Sequence, residues 1–205
     1  MFKKPILIAF IILFADQLVK LYVKTHFVLG ESVAVFSWFQ ILFIENEGAA
    51  WGAKLSDILP VSDALGKLIL TSFRLFAIVG IGYWFLSSVK KQAPMLLQIS
   101  QALIFAGALG NIIDSVFYGV IFNESTYQLA SIFSEQPYGT LLQGRVVDML
   151  YFPLLDTTWP EWVPFYSGQP LRFFEPVFNI ADTAISTGVG ILLVFNKKAF
   201  PENQD

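Results

Sequence analysis

The sequence contains no cysteine and only one histidine, His26. The absence of cysteine excludes a disulfide framework, a thiol nucleophile and a thiolate metal site, and one histidine cannot form a site that needs several imidazoles. We therefore expect neither a metal ion nor a cofactor. Charged residues are also scarce, because Asp, Glu, Lys and Arg make up 14% of the chain whereas soluble domains average about 25%. The net charge of -3 gives no indication of nucleic-acid binding.

Long hydrophobic runs dominate the sequence instead. Four of them, each about 20 residues and therefore long enough to cross a bilayer, lie near residues 5–23, 68–86, 95–117 and 177–195. No small-residue cleavage site follows the first run, so we interpret it as an uncleaved membrane anchor. The runs predict an integral membrane protein with a single membrane domain over residues 1–205, built as an all-α bundle of four transmembrane helices.

Pairs of lysines flank the predicted spans on one side only. They precede the first span, separate the second from the third and follow the fourth (Lys3, Lys4, Lys90, Lys91, Lys197 and Lys198). Because such residues concentrate in the cytoplasm, both termini are expected there, which four crossings allow. The two remaining connections then face outward. The first holds a small β-rich segment at about 30–55, and the second is a long extracytoplasmic loop between helices three and four.

Polar residues of the spans gather near the predicted outer ends. They are Asp16, Lys20, Arg74, Asn111, Asp114, Asn179 and Asp182. Asp148 lies between the last two spans, in the apolar stretch "GRVVDMLYF", which we expect to return to the membrane surface. Side chains that only reach for lipid headgroups would occur at both ends of the spans. The one-sided distribution therefore predicts a site at the outer face.

Several of these residues also have a purely structural interpretation. Asp16 and Lys20 lie four residues apart on one helix face, where they can form an ion pair that holds helices in register. Arg74 can act as a counter-ion or contact a lipid headgroup, and asparagines often hydrogen-bond between membrane helices. Carboxylates with few cations to neutralise them are costly in a membrane without a function. The three to which this applies are Asp114, Asp148 and Asp182.

Carboxylates alone can carry out hydrolysis. When two aspartates share one proton, the ionised member can activate a water molecule while the protonated member donates to a substrate carbonyl. This chemistry needs no metal or cofactor, and it predicts an aspartyl hydrolase at the outer membrane face. The main alternative is a small proton- or ion-coupled transporter subunit, since membrane carboxylates also form proton relays, and a structural or assembly membrane protein is the third. Transporters usually have internal repeats and sites near the membrane midplane, and the sequence shows neither pattern.

Five short motifs follow one another along the chain: "DQLVK" in the first span, "NEGAAWG" in the first outer connection, "GNIID" at the end of the third span, "GRVVDM" in the following loop and "FNIAD" at the start of the fourth span. In this order they resemble the signal peptidase II family, the prolipoprotein signal peptidases of bacteria. Together they cover essentially the whole chain outside the second outer connection.

The resemblance implies a membrane aspartyl endopeptidase with Asp148 and Asp182 as its catalytic dyad. The residues that match the family's site-shaping and substrate-holding positions are Asn179, Asn111, Asp114, Asp16, Lys20, Asn46 and Gly48. The implied substrates are diacylglyceryl-modified prolipoproteins, cleaved before the lipidated cysteine at the extracytoplasmic side of the bacterial inner membrane. Membrane lipid and globomycin-like peptide inhibitors are further expected partners, and nucleic acid is not.

The chain departs from the family pattern in three ways. Ser115 follows "GNIID" where the family has an arginine, and the candidates to supply the missing cation are Arg145 and Arg74. The family's "VVDF" is "VVDM" here. Two insertions, at about 118–143 and 151–173, lengthen the second outer connection, whose aromatic residues predict a platform at the membrane–water interface.

Overall fold

The computed structural model describes residues 3–47, 54–173 and 176–201. Three of the described helices are long and apolar enough to cross a membrane. The first two are α1 (Lys3–His26) and α2 (Asp63–Lys90). The third is continuous over three parts, namely α3 (Met95–Ile113), a π-helical turn (Asp114–Tyr118) and the short α4 (Gly119–Ile121).

The long helices turn apolar side chains away from the protein. On α2, the side chains of Phe73, Phe76, Val79 and Tyr83 are 68–81% exposed. A contiguous apolar surface of this kind has no place in water, where it would drive association, whereas hydrocarbon solvates it. The chain is therefore a multi-pass membrane protein.

The fourth predicted span, 177–195, is shorter in the structure than the sequence indicated. Val177–Phe178 forms a strand, and the helix α5 covers only Ile180–Val194 before the short α6 (Asn196–Ala199). At 1.5 Å per residue, 15 residues extend about 22 Å, less than the roughly 30 Å of a hydrocarbon core. The helix begins late because the Asn179 side chain accepts a hydrogen bond from the backbone of Asp182 and caps it.

A four-stranded antiparallel sheet accompanies the helices, so the description as an all-α bundle is incomplete. The predicted β-rich segment supplies β1 (Ser32–Phe36) and β2 (Phe39–Asn46). They are joined by β3 (Val146–Tyr151) and by β6 (Val177–Phe178), in the order β1-β2-β3-β6. The stretch around Asp148, which the sequence indicated as a loop returning to the membrane surface, is thus an inner strand of this sheet.

The second insertion also has secondary structure that the sequence did not predict. Strands β4 (Leu155–Thr158) and β5 (Pro170–Phe173) pair as a separate antiparallel two-stranded sheet. The segment expected to be a loop is therefore partly a β-hairpin-like unit.

The first insertion packs into the core behind the four-stranded sheet. Phe43 of β2 and Val147 and Met149 of β3 are at most 1% exposed, and they form one cluster with Val23 of α1 and Phe122. Because successive side chains of a strand point to opposite faces, burying Val147 and Met149 on this side places Asp148 on the other. The core thus determines which face of the sheet carries the carboxylate.

Candidate active site

Asp148 lies on β3 with its carboxylate held by two asparagines. The Asn179 Nδ2 donates to Asp148 Oδ1 at 2.7 Å, and the Asn46 Nδ2 donates to Asp148 Oδ2 at 3.4 Å. Asn46 is available because β2 pairs with β3 so that Ile44 stands opposite Asp148. The Asp148 side chain is only 4% exposed, so these amides replace most of the water that would otherwise solvate it.

Asp182 lies in the first turn of α5 and forms a reciprocal cap with Asn179. Its backbone N–H donates to Asn179 Oδ1 at 2.8 Å, and its Oδ2 accepts from the Asn179 backbone N–H at 3.3 Å. The Asn111 Nδ2 donates to the other oxygen, Oδ1, at 2.8 Å. Two donors, the Asn111 side chain and the Asn179 backbone, therefore hold the Asp182 carboxylate in place.

Asn179 therefore contacts both aspartates, through Nδ2 to Asp148 and through Oδ1 to the backbone of Asp182. Burial, and after it the neighbouring charge of Asp182, together raise the pKa of Asp148 to about 7. Near neutral pH this pair can hold a single proton. Such a pair is equipped for general acid–base chemistry, in which one member donates a proton and the other accepts one.

Lys20 lies at the centre of a buried polar network that contacts the residues around the two aspartates. It is fully buried, and its Nζ lies 3.0 Å from Asp16 Oδ2, 2.9 Å from Asp114 Oδ2 and 2.8 Å from Asn111 Oδ1. The ion pair between Asp16 and Lys20 that the spacing predicted is confirmed. Asp16 also accepts the backbone N–H of Ala181 at 2.9 Å, so the network joins α1, α3 and α5.

Asp114 holds the strand that carries Asp148. Strand β6 pairs only with Leu150 and Tyr151 of β3, which leaves the edge at Val147 without a strand partner on that side. The Val147 N–H donates to Asp114 Oδ2 at 3.2 Å, and the Val147 carbonyl accepts from Asn179 Nδ2 at 3.3 Å. Asp114 thus contacts the backbone beside the acid pair while Lys20 neutralises it.

The two arginines proposed for the cation near Ser115 lie in different places. Arg74 Nη1 donates to Ser115 Oγ at 3.3 Å, and the charge of Asp182 acts on its guanidinium. Arg145 instead forms ion pairs of 2.9–3.1 Å with three glutamates. Of the two candidates, Arg74 is the one beside the acid pair.

Sequence reasoning missed a second buried ion pair behind the sheet. Lys24 is fully buried and pairs with Glu45 of β2, and it lies 4.8 Å from the centre of the Tyr138 ring. Arg145 contacts the same two groups as Lys24. It lies 3.1 Å from Glu45 and 4.8 Å from the centre of the Tyr138 ring. The available signal was spacing, since Lys24 follows Lys20 by four residues and therefore lies on the same face of α1.

Gln17 is a further contact residue that the sequence analysis did not single out. Its Nε2 donates to Asp114 Oδ1 at 3.0 Å and to Asp16 Oδ2 at 3.2 Å. Of the residues predicted to shape the site, Gly48 lies outside the described residues. In the part of the chain that the structure describes, no group of three or more carboxylates or imidazoles is arranged to hold a metal ion.

The fold is that of a bacterial membrane enzyme. A bacterial membrane enzyme solved by the in meso method at 1.9 Å resolution is similar to this chain with a TM-score of 0.60 and 25% identity, and the match covers 97% of this chain and 95% of that one. The model of the signal peptidase II family matches residues 8–197, and the chain belongs to this family. It is therefore a membrane protease.

Two relatives show how far the similarity extends. The lipoprotein signal peptidase of Porphyromonas gingivalis is 46% identical over 186 residues, which cover 90% of this chain and 78% of that protein. The lipoprotein signal peptidase of Amoebophilus asiaticus is 35% identical over 200 residues, with 94% and 76% covered. Both are peptidases, so the transporter alternative receives no support.

Proposed function

We propose that this protein removes the signal peptide from lipoprotein precursors and that it does so as an aspartic protease with Asp148 and Asp182 as the catalytic dyad. The observation that carries the proposal is the single asparagine, Asn179, that contacts both residues. Membership of the signal peptidase II family supports the substrate class, and the raised pKa of Asp148 supports the acid–base chemistry.

The different surroundings of the two aspartates assign their roles. Asp148 is the more buried and has a pKa of about 7, so it holds the proton that is donated to the scissile carbonyl oxygen. The Asp182 carboxylate accepts hydrogen bonds from the Asn111 side chain and the Asn179 backbone, and we assign it the removal of a proton from the attacking water. The water oxygen bonds to the carbonyl carbon and a tetrahedral diol forms.

Collapse of the diol completes the reaction. The carbon–nitrogen bond breaks, Asp182 returns its proton to the leaving amine nitrogen, and Asp148 regains a proton from the diol hydroxyl. One water is consumed, and both aspartates return to their starting protonation states. Arg74 beside Asp182 supplies positive charge at the ionised member of the dyad.

The same proposal places the protein in the bacterial inner membrane with both termini in the cytoplasm. The lysine pairs that flank the helices support this orientation, and the dyad then lies at the extracytoplasmic side. There a substrate can keep its diacylglyceryl group in the lipid while its polypeptide reaches the sheet. A globomycin-like peptide would compete for this site.

The test is cleavage of a lipidated precursor by purified variants. Asp148→Asn and Asp182→Asn each remove one proton-transfer group at nearly constant size, and each should lower kcat by at least about a hundredfold. Asp57→Asn is the matched control, since this carboxylate is exposed and lies outside the acid pair. Substantial turnover by either dyad variant, with the control fully active, would refute the assignment.

A further inference from the structure

A cavity of about 260 Å³ lies where the first turns of α2 face residues 138–145. Its charged lining consists of Glu47, Lys54, Asp63, Lys67 and Arg145. Three of these side chains are cationic and two are anionic. The cavity therefore carries one positive charge in excess.

The excess charge belongs to Lys67. Lys54 Nζ lies 3.1 Å from Glu47 and 2.7 Å from Asp63, and Arg145 Nε lies 2.9 Å from Glu47. Within the described ranges, neither a carboxylate nor any hydrogen-bond acceptor pairs with the ammonium of Lys67, although that side chain is partly buried. The charges of Glu47 and Glu45 act on Lys67 without forming an ion pair with it. Withdrawing an ammonium from water without a direct partner is costly, so an anionic group that enters the cavity would lower this cost.

The cavity connects to the acid pair along one face of α2. Lys67, Leu70 and Arg74 succeed one another at helical spacing and so lie on the same face. Leu70 lines the cavity, and Arg74 contacts Ser115 and is subject to the charge of Asp182. At 1.5 Å per residue, Lys67 lies about 10 Å along the helix from Arg74.

A second connection runs through the sheet. Glu47 of the cavity lining directly follows Asn46, whose side chain donates to Asp148. The cavity thus lies around the end of the β2–β3 pair, next to the residues that hold the reacting carboxylates. A substrate polypeptide that leaves the dyad in an extended conformation covers about 10 Å in three residues.

We propose that this cavity is a substrate subsite that takes an acidic side chain of the precursor, about three residues after the scissile bond, with Lys67 as its ion-pair partner. The inference rests on the proposed function. The polypeptide before the cut is the hydrophobic signal peptide, whereas the polypeptide after it continues toward water, where a charged side chain is readily carried. A lipid phosphate has the same charge, but the face from Lys67 to Arg74 leads to the dyad, where the polypeptide has to lie.

The experiment compares matched lipidated precursor peptides with the full-length protein in phosphatidylcholine nanodiscs. One peptide series carries Asp or Glu at the second to fourth residue after the lipidated cysteine, and the other carries Asn or Gln there. Because a charge-assisted hydrogen bond contributes about 1.5–3 kcal/mol, the KM of the acidic peptide should be lower by roughly tenfold or more. Lys67→Gln should remove this difference, and Lys67→Glu should reverse it in favour of a peptide with Lys at the same position.

The control variant is Lys91→Gln, an exposed lysine at the opposite end of α2, which should keep the preference of the wild type. Equal KM values for acidic and neutral peptides in the wild type, or an unchanged preference in Lys67→Gln, would overturn the subsite. Loss of the preference in phosphatidylglycerol nanodiscs would mean that a lipid headgroup of net negative charge fills the cavity, and would overturn the peptide assignment. Failure to cleave any precursor would instead count against the proposed function itself.

Discussion

The side chain of Asn179 caps the start of α5 and also contacts the acid pair. Its Oδ1 accepts the N–H of Asp182 and its Nδ2 donates to Asp148. The two atoms of the amide cannot be exchanged, because the NH2 group would then face the N–H of Asp182 and two donors would meet. The helix cap therefore fixes the orientation of the amide, and the amide fixes the Asp148 carboxylate.

The pKa of Asp148 provides a test of how close the two carboxylates are. Burial and then the charge of Asp182 raise it to about 7, so the group is protonated below that pH and ionised above it. Asp182→Asn removes the second cause and leaves the first, so the pKa should fall yet stay above the usual value of about 3.9. Carbon-13 NMR of carboxyl-labelled aspartate, assigned with Asp148→Asn, measures this directly.

The wild type has a corresponding dependence of activity on pH. Because the proposed acid must be protonated, kcat should decrease as the pH rises above about 7, approaching a tenfold loss per pH unit. A midpoint that is identical in the wild type and in Asp182→Asn by NMR would contradict electrostatic contact between the two residues.

Local spacing predicted the contacts within one helix and could not predict those between elements. Asp16 and Lys20 were expected to pair because four residues bring them onto one face, and they do. The choice between Arg74 and Arg145 depended on which helix or strand packs beside Ser115. That is a tertiary property, and no pattern in the sequence carries it.

At the scale of elements, β3 shows why the sheet was only partly predicted. Residues Val146–Met149 are all buried, so the strand lacks the alternation of apolar and polar residues that identifies a half-exposed strand. The start of α5 had a usable signal, since Asn179 followed three residues later by Asp182 is the pattern of a capped helix start. Weighing that signal would have moved the beginning of the helix to residue 180.

Substitution of Arg145 tests how much the ion pairs behind the sheet contribute to the free energy of unfolding. Arg145 directly precedes β3 and forms ion pairs with Glu45 of β2, with Glu47 just after β2 and with Glu124 of the first insertion. Arg145→Gln removes all three pairs and leaves the buried Glu45 with Lys24 alone, so the free energy of unfolding should fall by roughly 1–3 kcal/mol. Thermal unfolding of the purified protein in detergent measures the change.

The matched control is Lys54→Gln, which also breaks an ion pair with Glu47. In that pair both side chains are 37% exposed. Exposed pairs contribute about 1 kcal/mol or less, so this variant should unfold close to the wild type. Equal destabilisation by the two substitutions would show that Arg145 has no special role in holding β3.

At the scale of the whole molecule, the orientation in the membrane can be tested by labelling single introduced cysteines. The chain has no cysteine, so an introduced cysteine is the only thiol. Glu31→Cys lies in the connection proposed to face outward and Lys91→Cys in the one proposed to face the cytoplasm, and both positions are exposed. A membrane-impermeant maleimide should label the first in intact spheroplasts and the second only after permeabilisation.

Labelling of Lys91→Cys in intact spheroplasts would contradict the proposed orientation. Labelling of both variants after permeabilisation is the control for reactivity. The orientation stays a prediction from the lysine pairs, whose effect on insertion does not depend on the fold.

The short helix α5 has a consequence for the supply of water to the reaction. Its 15 residues fall about 8 Å short of the hydrocarbon thickness, and a bilayer adapts to such a mismatch by thinning locally. Since Asp182 lies in the first turn of this helix, we expect the thinned part of the bilayer to lie beside the proposed dyad. The helix that carries one of the two proposed catalytic carboxylates would thereby bring the aqueous phase closer to the proposed site of cleavage.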